Sequence, residues 1–449
     1  MDFVLGEYRI EGRRAAEIAA SVERGVGSGE LAPGKLLPPM RELAAELGVN
    51  PNTVAAAYRV LRERGVIETA GRRGSRVRPR PASTPREAIG VEVPEGVRDL
   101  SQGNPDPALL PSLRAALAAA ADRHERGPTL YGAPALTADL ERLARAAFDA
   151  DGVPPGPVAV TSGSLDAIER ALMAHLRPGD AVAVEDPGWG SLLDLVPALG
   201  LRPLPVALDD EGPLPEEVGR ALRQGARALV VTDRAQNPTG AAVSAGRARD
   251  LRRVLAGHPG VLLVEDDHGH GIVDLPLHPL AGAAGPVDHW VLVRSTAKAY
   301  GPDLRLAVLT GDTVTVDRVR GRQRLGPGWV SHLLQHTVAE LWRSRAVDPA
   351  EVARSYGLRR GALIGALAER GVAAHGRSGM NVWVPVPDET GAVTRLLNAG
   401  WAVAPGARFR TASPPGVRLT VSGLAAHEIG PVADAVAAAV RPARARRYG

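Results

Sequence analysis

A single lysine stands in the stretch RSTAKAYGPDLRL, residues 294–306, and its side chain is the first candidate for chemistry. Of the 54 lysines and arginines in this 449-residue chain, only Lys35 and Lys298 are lysines. A lysine amine can lose its proton and attack a carbonyl to form a Schiff base, whereas an arginine stays protonated. Lys298 is therefore a candidate for covalent chemistry, although most lysines in proteins are simply solvated charges.

Five short apolar runs rich in β-branched residues lead up to this lysine, and helical patterns separate them. The runs are PVAVTSG, AVAVEDP, ALVVTDR, VLLVEDD and WVLVRS. This alternation predicts a largely parallel sheet covered by helices. Ligands of such sheets bind beyond the carboxyl ends of the strands, so the polar residues that follow the runs are expected to face one site.

The first three runs end in groups that could hold a flat, phosphorylated ligand. Gly163 and Ser164 precede the helical pattern SLDAIERALMAHL, and backbone N–H groups at the start of a helix can bind a phosphate. Trp189, in EDPGWG, could stack on the ligand or could belong to the core. Asn237, in AQNPTG, could donate a side-chain hydrogen bond or could simply form a turn.

The last two runs add charged groups. VLLVEDD contains Asp266 and is followed by His268, and a carboxylate there can keep a ring nitrogen protonated. WVLVRS ends in Ser295, with Lys298 and Arg305 close behind. Pyridoxal 5'-phosphate (PLP) needs a Schiff-base lysine, an acid for its pyridinium nitrogen, an aromatic partner for its ring and ligands for its phosphate. The combination of residues therefore predicts a PLP site.

Two other kinds of site use similar residues. Ser295 and Lys298 match the S-x-x-K pattern of penicillin-binding proteins and β-lactamases, but the K-T-G and S-D-N partners of that pattern are missing from the chain. The acids and histidines of VEDDHGHG, residues 264–271, could bind a metal. Neighbouring side chains on an extended chain point in opposite directions, so we expect no metal site there.

Residues 39–64 predict two short helices joined by the turn LGVN. Asn50 can cap the second helix, and Pro51 suits its first turn. The segment VIETAGRRGSRVRPR follows, in which two short β runs around Gly71 and Gly74 would form a hairpin. These elements predict a winged helix-turn-helix that binds double-stranded DNA, although amphipathic helix pairs also occur without that function. The apolar positions at helical spacing are Leu43, Ala44, Leu47, Val54, Tyr58 and Leu61.

The distribution of charge supports a nucleic-acid partner for the N-terminal segment. Residues 1–80 contain 14 Lys or Arg against 10 Asp or Glu, whereas residues 81–449 contain 40 against 40. The net charge of +4 therefore arises at one end of the chain. Arg72, Arg73 and Arg76 belong to the hairpin, where a basic cluster is the electrostatic pattern expected for phosphate binding.

Composition excludes several other classes of site. The chain contains no cysteine, which rules out disulfides, iron–sulfur clusters and cysteine zinc sites. The first residues lack the pattern of a signal peptide, and no apolar run approaches the roughly 18 residues needed to span a bilayer. We therefore expect a cytoplasmic protein with no membrane contact.

The N-terminal segment resembles the GntR family of winged-helix regulators over residues 10–80. The resemblance is carried by GSGELAPGKLLPPMRELAAELGVNPNTVAAAYRVLRERG and by the wing GRRGSRV. It implies contacts to DNA bases and phosphates from the helix pair and from the wing. The implied contact residues are Arg41, Asn52, Thr53 and Arg59, with Gly71, Arg72, Arg73 and Arg76 in the wing.

The rest of the chain resembles the fold-type I, aminotransferase-like PLP domain, and the whole chain resembles the MocR subfamily of GntR regulators. Further matching stretches are SQGNPDPALLP, SYGLRRGALIGAL and AGWAVAPGARF. The resemblance implies a homodimer that combines an N-terminal winged helix-turn-helix with an α/β aminotransferase-like domain and a smaller C-terminal α+β subdomain. The implied boundaries are 1–80 for the DNA-binding domain, 81–98 for a linker, about 99–325 for the large part and about 326–449 for the small part.

The resemblance also implies a role for each residue near the cofactor ring. Lys298 would form the internal aldimine, and Asp266 would bind the pyridine nitrogen. Asn237 would bind the phenolic oxygen, and Trp189 would stack on the ring. His268 stands where these proteins usually have a tyrosine that hydrogen-bonds the phenolic oxygen.

Other residues would bind the anionic groups of the cofactor and of an amino acid. The implied phosphate ligands are Gly163, Ser164, Ser295 and Arg305, with Tyr131 of YGAP reaching in from a second subunit. Arg418, in GVRLTVSG, falls where the family's arginine binds the carboxylate of an amino acid. A bidentate arginine suits that task.

We therefore expect a PLP-dependent transcription regulator that senses PLP or an amino-acid effector. The alternative is an active PLP-dependent aminotransferase that carries an accessory DNA-binding module, because Lys298, Asp266 and Arg418 would serve either purpose. A third interpretation, a DNA-binding protein with a degenerate PLP fold, is disfavoured because the set of site residues includes Lys298.

Overall fold

The described residues fall into two compact units. The first unit contains the N-terminal helices and hairpin together with residues 176–181 and 194–203, and the second contains the rest. The computed structural model describes residues 8–28, 30–32, 34–63, 66–69, 74–77, 86, 89, 92–281 and 285–440. The N-terminal elements are α1 (Ala15–Ser28), α2 (Met40–Leu47), α3 (Pro51–Glu63), β1 (Ile67–Thr69) and β2 (Ser75–Val77).

The helix pair α2 and α3 forms as the sequence predicts. The side-chain oxygen of Asn50 accepts a hydrogen bond from the backbone N–H of Asn52 at 2.9 Å, and Pro51 is the first residue of α3. Both helices and α1 pack around an apolar core. The ring of Tyr58 is buried in that core, and its hydroxyl donates to the carbonyl of Pro38 at 2.7 Å.

The predicted wing follows the helix pair. Strands β1 and β2 are antiparallel, with Ile67 opposite Val77 and Glu68 opposite Arg76. The side chains of Ile67 and Val77 are buried in the same core as the helices. This arrangement confirms the winged helix-turn-helix.

After residue 97 the chain alternates between strands and helices. The strands are β3 (Arg98–Asp99), β4 (Val158–Thr161), β5 (Ala181–Glu185), β6 (Arg202–Val206), β7 (Leu208–Asp209), β8 (Gly212–Pro213), β9 (Ala226–Thr232), β10 (Leu262–Asp267), β11 (His289–Ser295), β12 (Ala307–Gly311), β13 (Asn381–Pro385), β14 (Trp401–Ala402), β15 (Ala404–Pro405) and β16 (Gly416–Thr420). The helices are α4 (Arg114–Arg126), α5 (Ala138–Ala150), α6 (Ser164–His175), α7 (Gly190–Ala198), α8 (Pro215–Arg223), α9 (Ala245–Ala256), α10 (Ala297–Tyr300), α11 (Thr313–Arg324), α12 (His332–Arg343), α13 (Pro349–Glu369), α14 (Glu389–Asn398) and α15 (Ile429–Val440).

Seven strands form the central sheet, in the order β4-β12-β11-β10-β9-β5-β6. Strand β10 pairs in parallel with β9 and β11, whereas β12 is antiparallel to β11 and β4. All five apolar runs are strands of this sheet, as predicted. Strands β4, β5 and β10 are buried along their whole length, which explains why β4, β5 and the first half of β10 are largely apolar. The acids that end β10 are also buried.

The C-terminal part has a sheet of three strands in the order β13-β16-β15. Strand β16 is antiparallel to both neighbours and places Arg418 opposite Trp383. Helix α15 contacts both α13 and α14, and the three helices share an apolar core with this sheet. The core also contains Leu100, because β3 pairs in parallel with β14. Among the described helices, none combines the length and the hydropathy needed to cross a membrane.

Candidate ligand-binding cavity

A cavity of about 400 Å³ lies where the central strands end, and its size suits a small-molecule ligand. It belongs entirely to the second unit. Each of the five predicted strand ends contributes to its wall. The predicted site residues that line it are Gly163, Ser164, Trp189, Asn237, Asp266, His268, Ser295, Lys298, Arg305 and Arg418.

Lys298 enters the cavity from the short helix α10, which begins directly after β11. Its Nζ donates to the carbonyl oxygen of Gly103 at 2.9 Å. Gly103 has φ +68°, and a Cβ atom there would lie 3.1 Å from the Arg418 guanidinium. Glycine therefore suits position 103 for two reasons, the positive φ angle and the lack of space for a side chain beside Arg418. It lets the backbone lie close to both Lys298 and Arg418.

Asp266 is the buried acid of the cavity, and its two carboxylate oxygens differ. Its Oδ2 atom lies 3.1 Å from Nδ1 of His268. Its Oδ1 atom is buried and has no hydrogen-bond partner among the residues that the structure describes. Burying a carboxylate oxygen without a donor is costly, so this atom fits a ligand that brings a protonated nitrogen.

His268 bridges two elements of the cavity wall. Its Nε2 atom donates to the carbonyl oxygen of Ala235 at 2.8 Å, and its Nδ1 atom donates to Asp266. Burial disfavours the charged imidazolium, but the hydrogen bond to Asp266 and the negative charge of that residue outweigh burial. The pKa of His268 is therefore above its ordinary value.

The end of the cavity beside the start of α6 is suited to an anion. Gly163 has φ +102°, and a Cβ atom there would lie 3.2 Å from the guanidinium of Arg305. Ser164 begins α6, so backbone N–H groups of its first turn are available to an acceptor. The Oγ atom of Ser164 is buried and has no hydrogen-bond partner within the described ranges. A phosphate would satisfy this hydroxyl, the helix N-terminus and Arg305 together.

The remaining predicted groups surround the space between these two ends. Asn237 accepts a hydrogen bond through Oδ1 from the Arg418 guanidinium at 2.9 Å. Trp189 is half-buried and lines the cavity directly before α7. Ser295 also lines it, and its Oγ atom accepts from the N–H of Ala297 at 3.2 Å. A flat ligand would therefore meet an aromatic ring and an amide between the phosphate end and Arg418.

The structure places one predicted residue elsewhere. Tyr131 does not line the cavity, and 93% of the residue is exposed. Its ring makes an edge contact with Trp329, with 5.7 Å between the ring centroids. Within one chain Tyr131 is thus available to a second molecule, and its role in a neighbouring site stays a prediction.

The cavity wall also includes residues for which the sequence predicted no role, among them Arg408 and Phe409. Arg408 is 8% exposed and follows the Pro-Gly turn after β15, and Phe409 is the next residue. Both lie in AGWAVAPGARF, a stretch recognised only as a family match. The signal that could have identified Arg408 is an arginine that comes shortly after a short apolar strand and a turn.

The histidine and acids beside the cavity form a separate cluster. Atoms of Asp151, Asp267 and His270 lie within 4.8 Å of one another, a spacing that a metal could use. The guanidinium of Arg234 binds both carboxylate oxygens of Asp267, at 2.9 and 2.7 Å, and Arg294 pairs with both acids. Burial lowers the pKa of His270 to about 3. Two guanidinium groups therefore already neutralise these carboxylates.

The candidate DNA contacts lie in the first unit. Arg41, Asn52 and Arg59 are exposed, and the last two are separated by seven residues and so share one face of α3. Thr53, in the first turn of α3, is half-buried. Arg76 of the wing is 43% exposed and pairs with Glu68. The predicted wing residues Gly71, Arg72 and Arg73 lie outside the described residues.

Comparisons with known proteins cover nearly the whole chain. Residues 95–436 match the family model for aminotransferase class I and II, and residues 14–77 match that for bacterial regulatory proteins of the gntR family. The chain is 40% identical over 433 residues to the vitamin B6 salvage pathway transcriptional repressor PtsJ of Salmonella typhimurium, which covers 94% of this chain and 98% of that protein.

More distant relatives include a second regulator and an enzyme. The pyridoxine biosynthesis transcriptional regulator PdxR of Corynebacterium glutamicum is 28% identical over 343 residues, or 74% of this chain and 73% of PdxR. Among solved structures, the aspartate aminotransferase of Thermus thermophilus with maleate matches with a TM-score of 0.67 and 26% identity. That match covers 76% of this chain and 91% of the enzyme.

Proposed function

Because this chain belongs to the MocR subfamily of GntR-family transcription regulators, we propose that it binds PLP covalently and regulates transcription in response to PLP or an amino-acid effector. Its N-terminal winged helix-turn-helix is a DNA-binding module, and its larger unit is an aminotransferase-like domain. The relatives PtsJ and PdxR are named as regulators of vitamin B6 pathways, which supports both the cofactor and the regulatory role.

The observation that carries the proposal is the combination of a lysine with two unsatisfied atoms in one cavity. Lys298 lies in the same cavity as the buried Oδ1 of Asp266 and the buried Oγ of Ser164. Both atoms lack a hydrogen-bond partner within the described part of the chain. A pyridinium nitrogen would satisfy the first atom, and a phosphate would satisfy the second. PLP contains both groups as well as the aldehyde that a lysine attacks.

Each side chain of the cavity has a defined task toward PLP. When bound, PLP supplies an aldehyde that reacts with an amine and a ring that accepts electrons from that amine. Asp266 would keep the ring nitrogen protonated, and Trp189 would hold the ring by stacking. Asn237 would hydrogen-bond the phenolic oxygen and orient the ring. His268, whose two ring nitrogens bind Asp266 and the Ala235 carbonyl, would hold Asp266 in position. Gly163, Ser164, Ser295 and Arg305 would hold the phosphate.

Arg418 is the proposed group for the carboxylate of an amino acid. Its guanidinium lies beside Asn237 at 2.9 Å and is 4.7 Å from the ring centroid of Phe409. A buried arginine can bind a carboxylate through two parallel hydrogen bonds, which fixes its orientation. An effector held between Lys298 and Arg418 would therefore bind in one pose.

Regulation requires that the ligand favour one arrangement of the DNA-binding modules over another. We propose a homodimer for this purpose, in which Tyr131 completes the neighbouring cavity. The exposure of Tyr131 and of Leu130, 93% and 71% respectively, supports this role, because large apolar side chains are usually covered in the functional assembly.

The test is the visible absorption spectrum of the purified full-length protein during a titration with PLP. We expect the band of lysine-bound cofactor in the wild type and in Lys35→Ala, but not in Lys298→Ala, because Lys298 lines the cavity and the other lysine of the chain, Lys35, does not. Lys35→Ala is thus a matched control that removes the same functional group elsewhere. A band that persists in Lys298→Ala would reject the assignment.

The same proteins test the regulatory part of the proposal. Duplexes selected from a random pool by the wild-type protein serve as the DNA probe. An amino acid that shifts the visible band should also change the affinity of the wild type for these duplexes, and Lys298→Ala should lose this response while it retains DNA binding. An unchanged response in Lys298→Ala would reject the sensing role.

The alternative function is an aminotransferase with an accessory DNA-binding module. It is favoured by the presence of Lys298, Asp266 and Arg418 in one cavity, because covalent binding and complete transamination need the same groups. The spectral titration distinguishes the two. A shifted band that stays stable with an amino acid supports the sensor, whereas conversion to the pyridoxamine form with release of a keto acid supports the enzyme.

A further inference from the structure

A buried carboxylate, that of Glu185, joins the ends of two neighbouring strands of the central sheet. Glu185 is the last residue of β5, and β9 lies beside β5 in the sheet. One carboxylate oxygen of Glu185 accepts from the backbone N–H of Thr232, the last residue of β9, at 3.1 Å. The other oxygen accepts from Nε2 of Gln236, in the turn after β9, at 3.1 Å. Glu185 therefore binds both the end of β9 and the turn that follows it.

The amide of Gln236 is fully buried and uses its whole hydrogen-bonding capacity. Its Nε2 atom also donates to the carbonyl of Pro187 at 2.9 Å. Its Oε1 atom accepts from both the N–H and the hydroxyl of Thr239, at 3.0 and 2.7 Å. Two N–H groups and an oxygen with two lone pairs thus have four partners. Because a rotated or flipped amide would lose several of these hydrogen bonds, Gln236 is held in one orientation.

These hydrogen bonds connect the two segments that carry the groups assigned to the cofactor ring. Asn237 is the residue after Gln236, and Trp189 is the second residue after Pro187. Both Asn237 and Trp189 line the cavity. Each lies beyond the end of its strand, where pairing in the sheet no longer fixes the backbone. Their separation therefore depends on other contacts between the two segments.

The carboxylate of Glu185 depends on the same contacts. Burial raises the pKa of Glu185 to about 7, and the hydrogen bonds from Thr232 and Gln236 lower it. A buried acid is unfavourable unless donors surround it. Two donors from β9 and its turn meet this requirement only while both segments keep their positions relative to β5.

We propose that Glu185 and Gln236 are positioning residues for the cofactor ring. Their hydrogen bond fixes the turn that carries Asn237 relative to the segment that carries Trp189, so the ring meets its amide and its stacking partner together. This inference rests on the proposed function, because it takes PLP to occupy the cavity. The gain in affinity comes from preorganisation, since binding does not have to order the two segments.

An exchange of the two side chains tests this role. Glu185→Gln leaves one amide oxygen for two donors, and Gln236→Glu places two carboxylates side by side, so each single variant should bind PLP about tenfold more weakly. In the double variant Glu185→Gln/Gln236→Glu, an amide and a carboxylate face each other again. Only the hydrogen bond to Pro187 stays broken, so the affinity should recover to within about threefold of the wild type. The titrations are run at about pH 8.5, above the pKa of Glu185.

Two further measurements separate positioning from stability. Circular dichroism of the visible band at saturating PLP reports how the ring is held, and it should change in each single variant and return toward the wild-type signal in the double variant. Urea unfolding of the PLP-free proteins measures stability. Asp312→Asn is the matched control, because this carboxylate accepts from the N–H groups of Thr315 and Trp290, at 3.0 and 2.8 Å, and lies outside the cavity wall. It should lose stability and bind PLP as the wild type does.

A milder change leaves both Glu185 and Gln236 in place. Thr239→Val removes the hydroxyl that donates to Gln236 and accepts from the N–H of Ala241, and it should weaken PLP binding by about threefold. Thr239→Ser keeps the hydroxyl and should bind PLP as the wild type does. This pair of variants applies even where a change at Glu185 or Gln236 prevents folding.

The outcomes separate the inference from the proposed function. Unchanged PLP affinity in both single variants, or in Thr239→Val, would overturn the inference alone. So would a double variant that binds as weakly as the single variants. A loss of affinity in Asp312→Asn as large as theirs would also overturn it, because general destabilisation would then explain the effect. Absence of any band that depends on Lys298 would overturn the proposed function, and the inference with it.

Discussion

Two adjacent acids at the end of β10 lie in opposite electrostatic environments. Asp266 faces the cavity, where one carboxylate oxygen has no hydrogen-bond partner within the described residues. Asp267 belongs to an arginine cluster, which we define as Arg234, Arg294, Asp151 and Asp267, and accepts hydrogen bonds from both arginines. Neighbouring side chains of a strand point to opposite faces of the sheet, which separates Asp266 from Asp267. The same edge of the sheet therefore provides an acid for the cavity and an acid for a buried ion-pair cluster.

The arginine cluster satisfies its own charges. Arg294 is fully buried, and it also donates to the carbonyl of Ala147 at 3.0 Å. Arg234 donates in addition to the carbonyl of Leu275 at 2.9 Å. Burial alone would raise the pKa of Asp267, but the two guanidiniums lower it far below its ordinary value. The cluster therefore neutralises its own charges, whereas the cavity contains buried polar atoms that have no hydrogen-bond partner within the described residues.

The largest effect is expected from the Asp267→Asn substitution. It leaves two buried guanidiniums with a single counter-charge, and removing one partner of a buried ion pair costs about 3–5 kcal/mol. Urea unfolding of the PLP-free protein measures this loss. Asp266→Asn is the matched control and should change the free energy of unfolding by less than about 1 kcal/mol. Similar losses in the two variants would contradict the division between the arginine cluster and the ligand site.

A smaller effect is expected when Asp266→Asn is titrated with PLP. An amide cannot hold the ring nitrogen protonated, and a hydrogen bond to a charged group contributes about 1.5–3 kcal/mol, so the affinity for PLP should fall by about ten- to a hundredfold. The visible band gives the dissociation constant. Asp274→Asn removes an exposed acid outside the cavity and should bind PLP as the wild type does. Unchanged affinity in Asp266→Asn would remove Asp266 from the PLP site.

The smallest effect concerns His268 and pH. Its folded-state pKa is raised, so the stability that its protonation contributes is fully present below about pH 6.5 and is lost as the pH rises through the folded-state value. His268→Gln should therefore weaken the PLP-free protein at pH 6 by about 1 kcal/mol or less and have almost no effect at pH 9. Urea unfolding at both pH values measures the difference. A loss that is equal at pH 6 and pH 9 would mean that His268 acts only by packing.

Much of the architecture follows from local sequence patterns. The five apolar runs predict five strands of the central sheet, because strands covered on both faces are rich in apolar, β-branched residues. Asn50 and Pro51 predict the start of α3 through capping and a fixed φ angle. Ten of the proposed cofactor and effector residues line one cavity, because they follow the ends of strands that meet at one edge or belong to segments that resemble a known family.

Other properties depend on contacts between distant segments. Sequence could not identify Arg408 as a cavity residue, because its position depends on the turn after β15, on α7 and on Glu389 and Arg86. The pairing of Asp267 with Arg234 and Arg294 was equally inaccessible, since the three residues come from different strand ends. Tyr131 was assigned to a neighbouring site by resemblance alone, and its exposed position within one chain is a tertiary result.

The order and types of the residues identify the available chemistry: one lysine beyond the strand ends, an acid before it, and a basic winged helix-turn-helix near the N-terminus. Residue types and short-range spacing are sufficient for these conclusions. The folded structure is needed to show which groups share a cavity, which buried charges neutralise one another and which atoms lack a partner among the described residues. The physical reason is that desolvation and electrostatic balance depend on distances across the fold, and those distances are independent of separation along the chain.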